Sequence, residues 1–207
     1  MAVLVQTILD RVRTQLIDTG TPPRWTDTEL LRWLSDGQRT IVAAIPWAYQ
    51  KVTTLDLAVG TRQTLPADAN VLIEVIRNLT ASGIAGPPCT KIERSILDRQ
   101  YPDWHIANTS PTVLHYTYDT GDPMHFYVFP RNSGDGSVEI NYSAVPADIV
   151  STTGFITVRD IYSTPLVDYT MYRAHQKDSD FAAGQQLAGA YLQSFMAFVQ
   201  ANVATVK

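Results

Sequence analysis

The sequence contains a single cysteine, Cys89, among its 207 residues. One thiol cannot form an internal disulfide, and it cannot supply a zinc site that needs several cysteines. The fold must therefore be stabilised by packing alone. We expect synthesis in a reducing compartment, since structural disulfides are rare there.

Charged residues are also scarce, at 17% of the chain where about 25% is typical. The 16 basic and 20 acidic side chains are scattered, without the basic stripe that neutralises nucleic-acid phosphates. No run of 18 apolar residues occurs, and residues 1–16 lack the basic segment and unbroken apolar core of a secretion signal. These absences argue against sequence-specific nucleic-acid binding, membrane insertion and secretion.

Local motifs of catalysis and phosphate binding are missing as well. The chain has no G-x-S-x-G nucleophile elbow, no G-x-x-x-x-G-K-S/T loop and no G-x-G-x-x-G fingerprint. Cys89 lies in a Pro- and Gly-rich stretch, so we interpret it as a small loop residue. His105 beside Trp104, and His175 near a helix end, are interpreted as surface or capping residues.

The histidines and carboxylates are the remaining candidates for metal ligands and acid–base pairs. His115 and His125 are predicted to face one another on neighbouring strands, but no further zinc ligand follows at suitable spacing, so we favour cross-strand packing. The carboxylates considered, Asp56, Asp68, Asp119 and Asp122, are interpreted as solvated turn residues. The sequence thus predicts no catalytic, cofactor-binding or metal-binding residue.

Helical periodicity dominates the first fifty residues. Apolar residues at three-and-four spacing predict a helix over residues 5–16 that is ended by Gly20 and the prolines after it. A second helix begins at Thr26, which is predicted to form a capping box with Glu29, and it stops at Pro46. Four aromatic residues around this helix are predicted to pack in the core: Trp25, Trp33, Trp47 and Tyr49.

The middle of the chain has the two-residue period of β structure. Strands are predicted at residues 52–57, 71–79, 113–118, 124–129 and 138–142. Turn-forming residues between the last three predict an antiparallel meander. Residues 82–88 are predicted to be irregular because they are rich in Gly and Pro, and a short helix is predicted at 92–98.

Helical signals return at Ser163. Thr164 is predicted to cap a helix that breaks at residues 177–180, and a last helix is predicted from Phe181 to about Val203. Its predicted packing face is formed by Leu187, Tyr191, Phe195 and Phe198. We therefore predict an α+β fold: a helical bundle domain from residues 1–50 and 159–207, and an inserted antiparallel β domain, barrel or sandwich, at 51–158.

Several short motifs follow one another in an order that is informative as a set. They are WTDTELLRWLSDGQR at 25–39, Pro46, GTRQTLP at 60–66, IRN at 76–78, PDW at 102–104, PMHFYVFP at 123–130, YSAVP at 142–146 and AHQKD at 174–178. This order resembles that of the head-to-tail adaptor proteins of short-tailed bacteriophages, of the tail-tubular-protein-A-like or gatekeeper-like kind.

The resemblance implies a structural virion protein rather than an enzyme, made in the host cytoplasm and located at the head–tail junction. It implies a ring of twelve subunits, which docks beneath the portal, receives the tail nozzle and forms part of the DNA ejection channel. Head-to-tail contacts between identical subunits can close such a ring. Ten tyrosines and four tryptophans in a charge-poor chain suit interface centres, and the acidic balance suits non-specific passage of DNA.

Three alternatives stay open at this stage. One is a monomeric module that binds protein or carbohydrate and has helical flanks. Another is an enzyme without a recognisable motif. The third is a connector of a long-tailed phage.

Overall fold

The computed structural model describes residues 3–80, 82–178 and 182–204. Its contacts divide the chain into two compact units, which we call the helical unit (Met1–Tyr49 and Val145–Lys207) and the β unit (Gln50–Ala144). The fold class is α+β, as predicted. The division into domains at residues 51–158 stays a prediction.

In the described residues, four helices form most of the helical unit, and one short helix lies in the β unit. The helical unit contains α1 (Val5–Leu16), α2 (Asp27–Ala44), α4 (Ser163–Lys177) and α5 (Ala182–Ala204), with one-turn 3₁₀ helices at Pro46–Ala48 and Asp160–Tyr162. The short helix is α3 (Arg94–Gln100). The strands are β1 (Gln50–Asp56), β2 (Gly60–Thr64), β3 (Ala69–Leu79), β4 (Ala85–Pro88), β5 (Thr90–Lys91), β6 (Thr109–Ser110), β7 (His115–Thr117), β8 (His125–Asn132) and β9 (Ser137–Ala144).

The ends of α1 are set by backbone contacts. Its first N–H groups have no side-chain cap; Val5 donates instead to the carbonyl of Gly154 at 2.9 Å, and Gln6 donates to that of Thr152 at 3.0 Å. At the other end Ile17 takes a left-handed conformation with φ 55°, and this ends the helix three residues before the predicted Gly20.

The start of α2 is the capping box that the sequence predicted. The Glu29 N–H donates to the Thr26 hydroxyl at 3.3 Å, and the Thr26 N–H donates to the Glu29 carboxylate at 3.2 Å. Further along, Gly37 allows α2 to approach α4 closely. A Cβ at Gly37 would lie 3.0 Å from the Tyr169 ring and 3.1 Å from a Leu166 methyl carbon. A larger residue there would push the two helices apart.

α4 lies at the centre of the helical unit, where it packs against α1, α2 and α5. The prediction that Thr164 caps it is wrong, because the preceding 3₁₀ turn runs directly into the helix and makes Thr164 its second residue. The Thr164 hydroxyl accepts a hydrogen bond from Arg11 at 3.3 Å instead.

α5 packs against α4 through part of the predicted face. Phe195 is fully buried, with its ring centroid 5.1 Å from that of Tyr169, while Tyr191 and Phe198 are partly buried. Leu187 was predicted to pack, but 47% of it is exposed. The predicted first residue, Phe181, lies outside the described residues.

The β unit consists of two sheets in a sandwich-like arrangement rather than a closed barrel. One sheet has the strand order β1-β9-β3-β4, and the other has the order β2-β8-β7-β5, with β6 added in parallel on β8. The predicted meander is therefore wrong: β7 and β8 pair antiparallel, but β9 leaves them and pairs with β1 and β3. The turn-forming residues between β8 and β9 indicate only that the chain turns there, whereas the strand with which β9 pairs depends on residues that are distant in the sequence.

Residues 82–88 are also more regular than predicted. Ala85–Pro88 forms β4, which pairs antiparallel with β3. Two prolines are tolerated because β4 is an edge strand, where N–H groups on the outer side need no strand partner.

Candidate functional site

The two histidines of the zinc hypothesis lie on adjacent strands but do not face one another. His115 on β7 is opposite Phe129 on β8, and the two rings stack with centroids 6.2 Å apart. The Nδ1 atom of His125 lies 2.8 Å from the Asp122 carboxylate and 3.1 Å from the Arg62 guanidinium. Within the described ranges, no three His, Cys, Asp or Glu side chains are grouped as metal ligands would be.

The carboxylates considered as an acid–base pair have separate partners. Asp56 accepts a hydrogen bond from Ser137 at 2.6 Å. Asp68 lies in a turn and accepts from the Lys51 ammonium at 2.5 Å and from the Tyr142 hydroxyl at 3.0 Å. The hydrogen bond from Lys51 is the main cause that lowers the pKa of Asp68 below its ordinary value. Asp68 is therefore held as a carboxylate at neutral pH.

Cys89 lies in the connection between β4 and β5, and it is buried. Burial raises the pKa of its thiol to about 11. The thiolate is the reactive form of cysteine, and at neutral pH this side chain stays protonated. Its environment is that of a core residue.

Asn78 on β3 joins the two sheets, a role that the sequence analysis missed. Its side-chain oxygen accepts from the Val113 N–H at 2.7 Å, and its amide nitrogen donates to the carbonyls of Val113 at 2.8 Å and Pro87 at 2.9 Å. Val113 leads into β7 of the other sheet. The sequence signal for this role is an amide side chain within a strand rich in β-branched residues, because a polar group that is buried there requires hydrogen-bond partners.

Trp25 contacts residues at the start of α2 and at the end of α4. The charged groups of Arg24 and Lys177 each lie 5.2 Å from the centroid of its ring. Lys177 also pairs with Glu29, and this hydrogen bond is the largest cause that lowers the pKa of Glu29. The predicted core packing of Trp25 and Trp33 is confirmed, because both are buried and their rings meet edge to face with centroids 5.7 Å apart.

The most unusual surface of the helical unit lies on α5. Residues 182–204 contain no Asp, Glu, Lys, Arg or His. The exposed side of the helix, which we call the α5 outer face, includes Leu187, Ala190, Gln193, Met196, Ala197 and Gln200. Exposed helix surfaces of soluble proteins are normally charged or polar, so a charge-free face of this length is typical of a surface that another chain covers.

An α+β chain with a long helix whose exposed side carries no charge has the features of a subunit in a protein assembly. The model of one protein family, described as SU10 adaptor protein, matches residues 4–205. The chain therefore belongs to the SU10 adaptor family, whose members are structural head-to-tail adaptors of bacteriophages. The resemblance seen in the sequence motifs is confirmed at this level, and the tail-tubular-protein-A-like assignment stays a prediction.

Two further findings accompany the family match. No curated protein matches the chain. Among the described residues, no helix combines the length and apolar character needed to cross a lipid bilayer.

Proposed function

We propose that this adaptor forms a ring, expected to contain twelve subunits, that docks beneath the portal and receives the tail nozzle protein. Its lumen passes viral DNA without sequence-specific contacts, and the protein has no catalytic role. Membership of the SU10 adaptor family supports this proposal. The observation on this chain that carries it is the α5 outer face.

The α5 outer face exposes apolar side chains to water. Leu187 is 47% exposed and Met196 is 42% exposed, and no charged group of the helix offsets their apolar area. Removing apolar surface from water stabilises an interface by roughly 25 cal/mol per Å². Identical subunits that contact one another head to tail close into a ring when the rotation per contact divides the circle. A charge-free helix in each subunit is suited to such contacts or to contact with the portal.

The overall charge is compatible with a DNA conduit. The formal net charge is −4 at pH 7, and basic residues are scattered rather than gathered in a stripe. DNA-binding proteins neutralise several phosphates with clustered Lys and Arg, and each such contact increases adhesion. A weakly acidic subunit would let DNA slide past with little adhesion.

The test is the mass of the purified protein, alone and mixed with the portal protein of the same virus, by native mass spectrometry. A ring of defined stoichiometry that appears alone or on the portal supports the proposal. A protein that remains monomeric and does not bind the portal contradicts it and favours the monomeric binding module. Binding to a long-tailed rather than a short-tailed virion would identify the connector of a long-tailed phage.

A pair of charge variants tests the role of the α5 outer face. Met196→Glu places a carboxylate on this face, and Thr28→Glu places one on the exposed side of α2. We expect Met196→Glu to weaken ring formation or portal binding by about tenfold or more, because burying an unpaired charge is costly. Thr28→Glu should assemble as the unmodified protein does. If both variants assemble equally well, the α5 outer face does not contribute to assembly.

A further inference from the structure

The β unit also contains a surface recess beside α3. It has a volume of about 410 Å³ and lies where α3 leads into the segment before β6. Its lining includes Tyr101, Asp103, Trp104, Asn108, Phe129 and Pro130. We call it the Tyr101 recess. Binding sites for small ligands commonly enclose about 300–1,000 Å³, so this recess is large enough for one or two amino-acid side chains.

The wall of the recess is held by hydrogen bonds of its own segment. The Tyr101 N–H donates to the Leu97 carbonyl at 2.8 Å, and the Trp104 N–H donates to the Tyr101 carbonyl at 2.9 Å. The Trp104 indole N–H donates to the Asp98 carboxylate at 2.9 Å. Because the wall is already ordered, little conformational entropy would be lost when a ligand enters.

The lining is mainly apolar and carries one charge. Trp104 is buried to 1% exposure at the base, while Tyr101 is 51% exposed at the rim. Asp103 is exposed, and within the described part of the chain no Lys or Arg lines the recess with it. An occupant that complements this lining would combine an apolar group with an adjacent positive charge.

We propose that the Tyr101 recess binds an apolar side chain that stands next to a Lys or Arg in a partner protein. The aromatic rings favour a side chain over a sugar. One face of Tyr101 packs on Phe129, with centroids 4.9 Å apart, and Trp104 stacks on His105 at 3.8 Å. These contacts occupy ring faces that a sugar would need, and tyrosine and tryptophan are enriched among residues that anchor protein partners.

This inference deepens the proposed function, and it rests on that function only for the expectation that the partner is another virion protein. The recess lies on residues separate from the α5 outer face. A titration of the protein with short peptides needs neither a ring nor a portal. If the peptides do not bind, the adaptor proposal is therefore unaffected. If the ring does not assemble, the peptide titration can still be interpreted.

The test uses the full chain, labelled with ¹⁵N, and follows the indole N–H signal of Trp104. The probes are N-acetyl-phenylalanyl-arginine amide and N-acetyl-phenylalanyl-glutamate amide. We expect the arginine probe to cause a saturable shift and to bind about 25-fold more tightly, because an exposed charge pair near 4 Å changes affinity by about fivefold and the two probes carry opposite charges. Asp103→Asn should abolish this preference without loss of folding, because Asp103 is exposed.

Two further variants make the result specific. Tyr101→Ala should weaken both probes, whereas Ile106→Ala, on the same segment and 76% exposed, should leave both affinities unchanged. The proposal is overturned if neither probe gives a saturable shift, or if the two probes bind equally. It is also overturned if maltose gives a saturable shift at Trp104 and the dipeptides do not.

Discussion

Replacing Asn78 by Asp tests the link between the two sheets of the β unit. The substitution keeps an oxygen that can accept the Val113 N–H, but it replaces the amide donor with a second oxygen. That oxygen then faces the carbonyls of Val113 and Pro87, which lay 2.8 and 2.9 Å from the amide nitrogen. At pH 7 a buried carboxylate would stand against two acceptors without a donor of its own.

The size and the pH dependence of the effect follow from the pKa of the introduced carboxyl group. Burial and the two carbonyls favour its protonated form, so its pKa in the folded protein is raised above the unfolded value of about 3.9. A rise of about 3 units corresponds to about 4 kcal/mol of lost stability at pH 7. As the pH falls through the raised pKa, the protonated group can donate again, and most of this loss should disappear near pH 4.

The assay is urea unfolding at pH 7 and at pH 4, with each variant compared with the unmodified protein at the same pH. Asn108→Asp is the matched control, because Asn108 is exposed and its substitution should change stability by less than about 0.5 kcal/mol at both pH values. A loss for Asn78→Asp that is equally large at both pH values would refute the reasoning. It would show that geometry, rather than the missing donor, causes the loss.

Two further predictions concern α5 and its contact with α4. Phe195→Ala should destabilise the protein by about 3–5 kcal/mol in urea unfolding, because it empties a fully buried site. The neighbouring Met196 is partly exposed, so Met196→Ala should lower the stability by less than about 1 kcal/mol. Equal losses for the two variants would contradict the observed orientation of α5. His175 stacks on Tyr191 across the two helices, and burial lowers the pKa of His175 below 6.5 although the nearby Asp178 opposes this. As the pH falls below about 6.5, His175 takes up a proton in the unfolded chain before it does so in the folded protein, so the stability should decrease between pH 7 and pH 5. The decrease should be smaller in His175→Gln, and identical pH profiles of the two proteins would refute this.

Features that depend on neighbours in the sequence were predicted well. The capping box of Thr26 and Glu29 requires only that two side chains lie three residues apart at a helix start, so the motif and the structure agree. The strand that contains residues 71–79 was found from its composition and is only two residues longer in the structure. The ordered set of motifs was also sufficient for the family, since it depends on the identity of residues rather than on their contacts.

Features that depend on distant contacts were not predictable in the same way. The N–H groups at the start of α1 are capped by carbonyls about 150 residues away, at Thr152 and Gly154. β9 was expected beside β8, yet it pairs with β1 and β3, because the hydrophobic period shows that a strand exists and does not show its partner.

The amino-acid sequence by itself determined the helices, the strands β1, β3, β7, β8 and β9, the start of α2 and the family, because these follow from local periodicity, capping and motif order. Only the tertiary structure decided which strands pair, that Asn78 joins the two sheets, and where the packed side of α5 ends. The sequence period indicated a packing face that includes Phe195, but it also included Leu187, which is 47% exposed. The packing of Phe195 against Tyr169 sets the orientation of the helix and leaves the α5 outer face exposed.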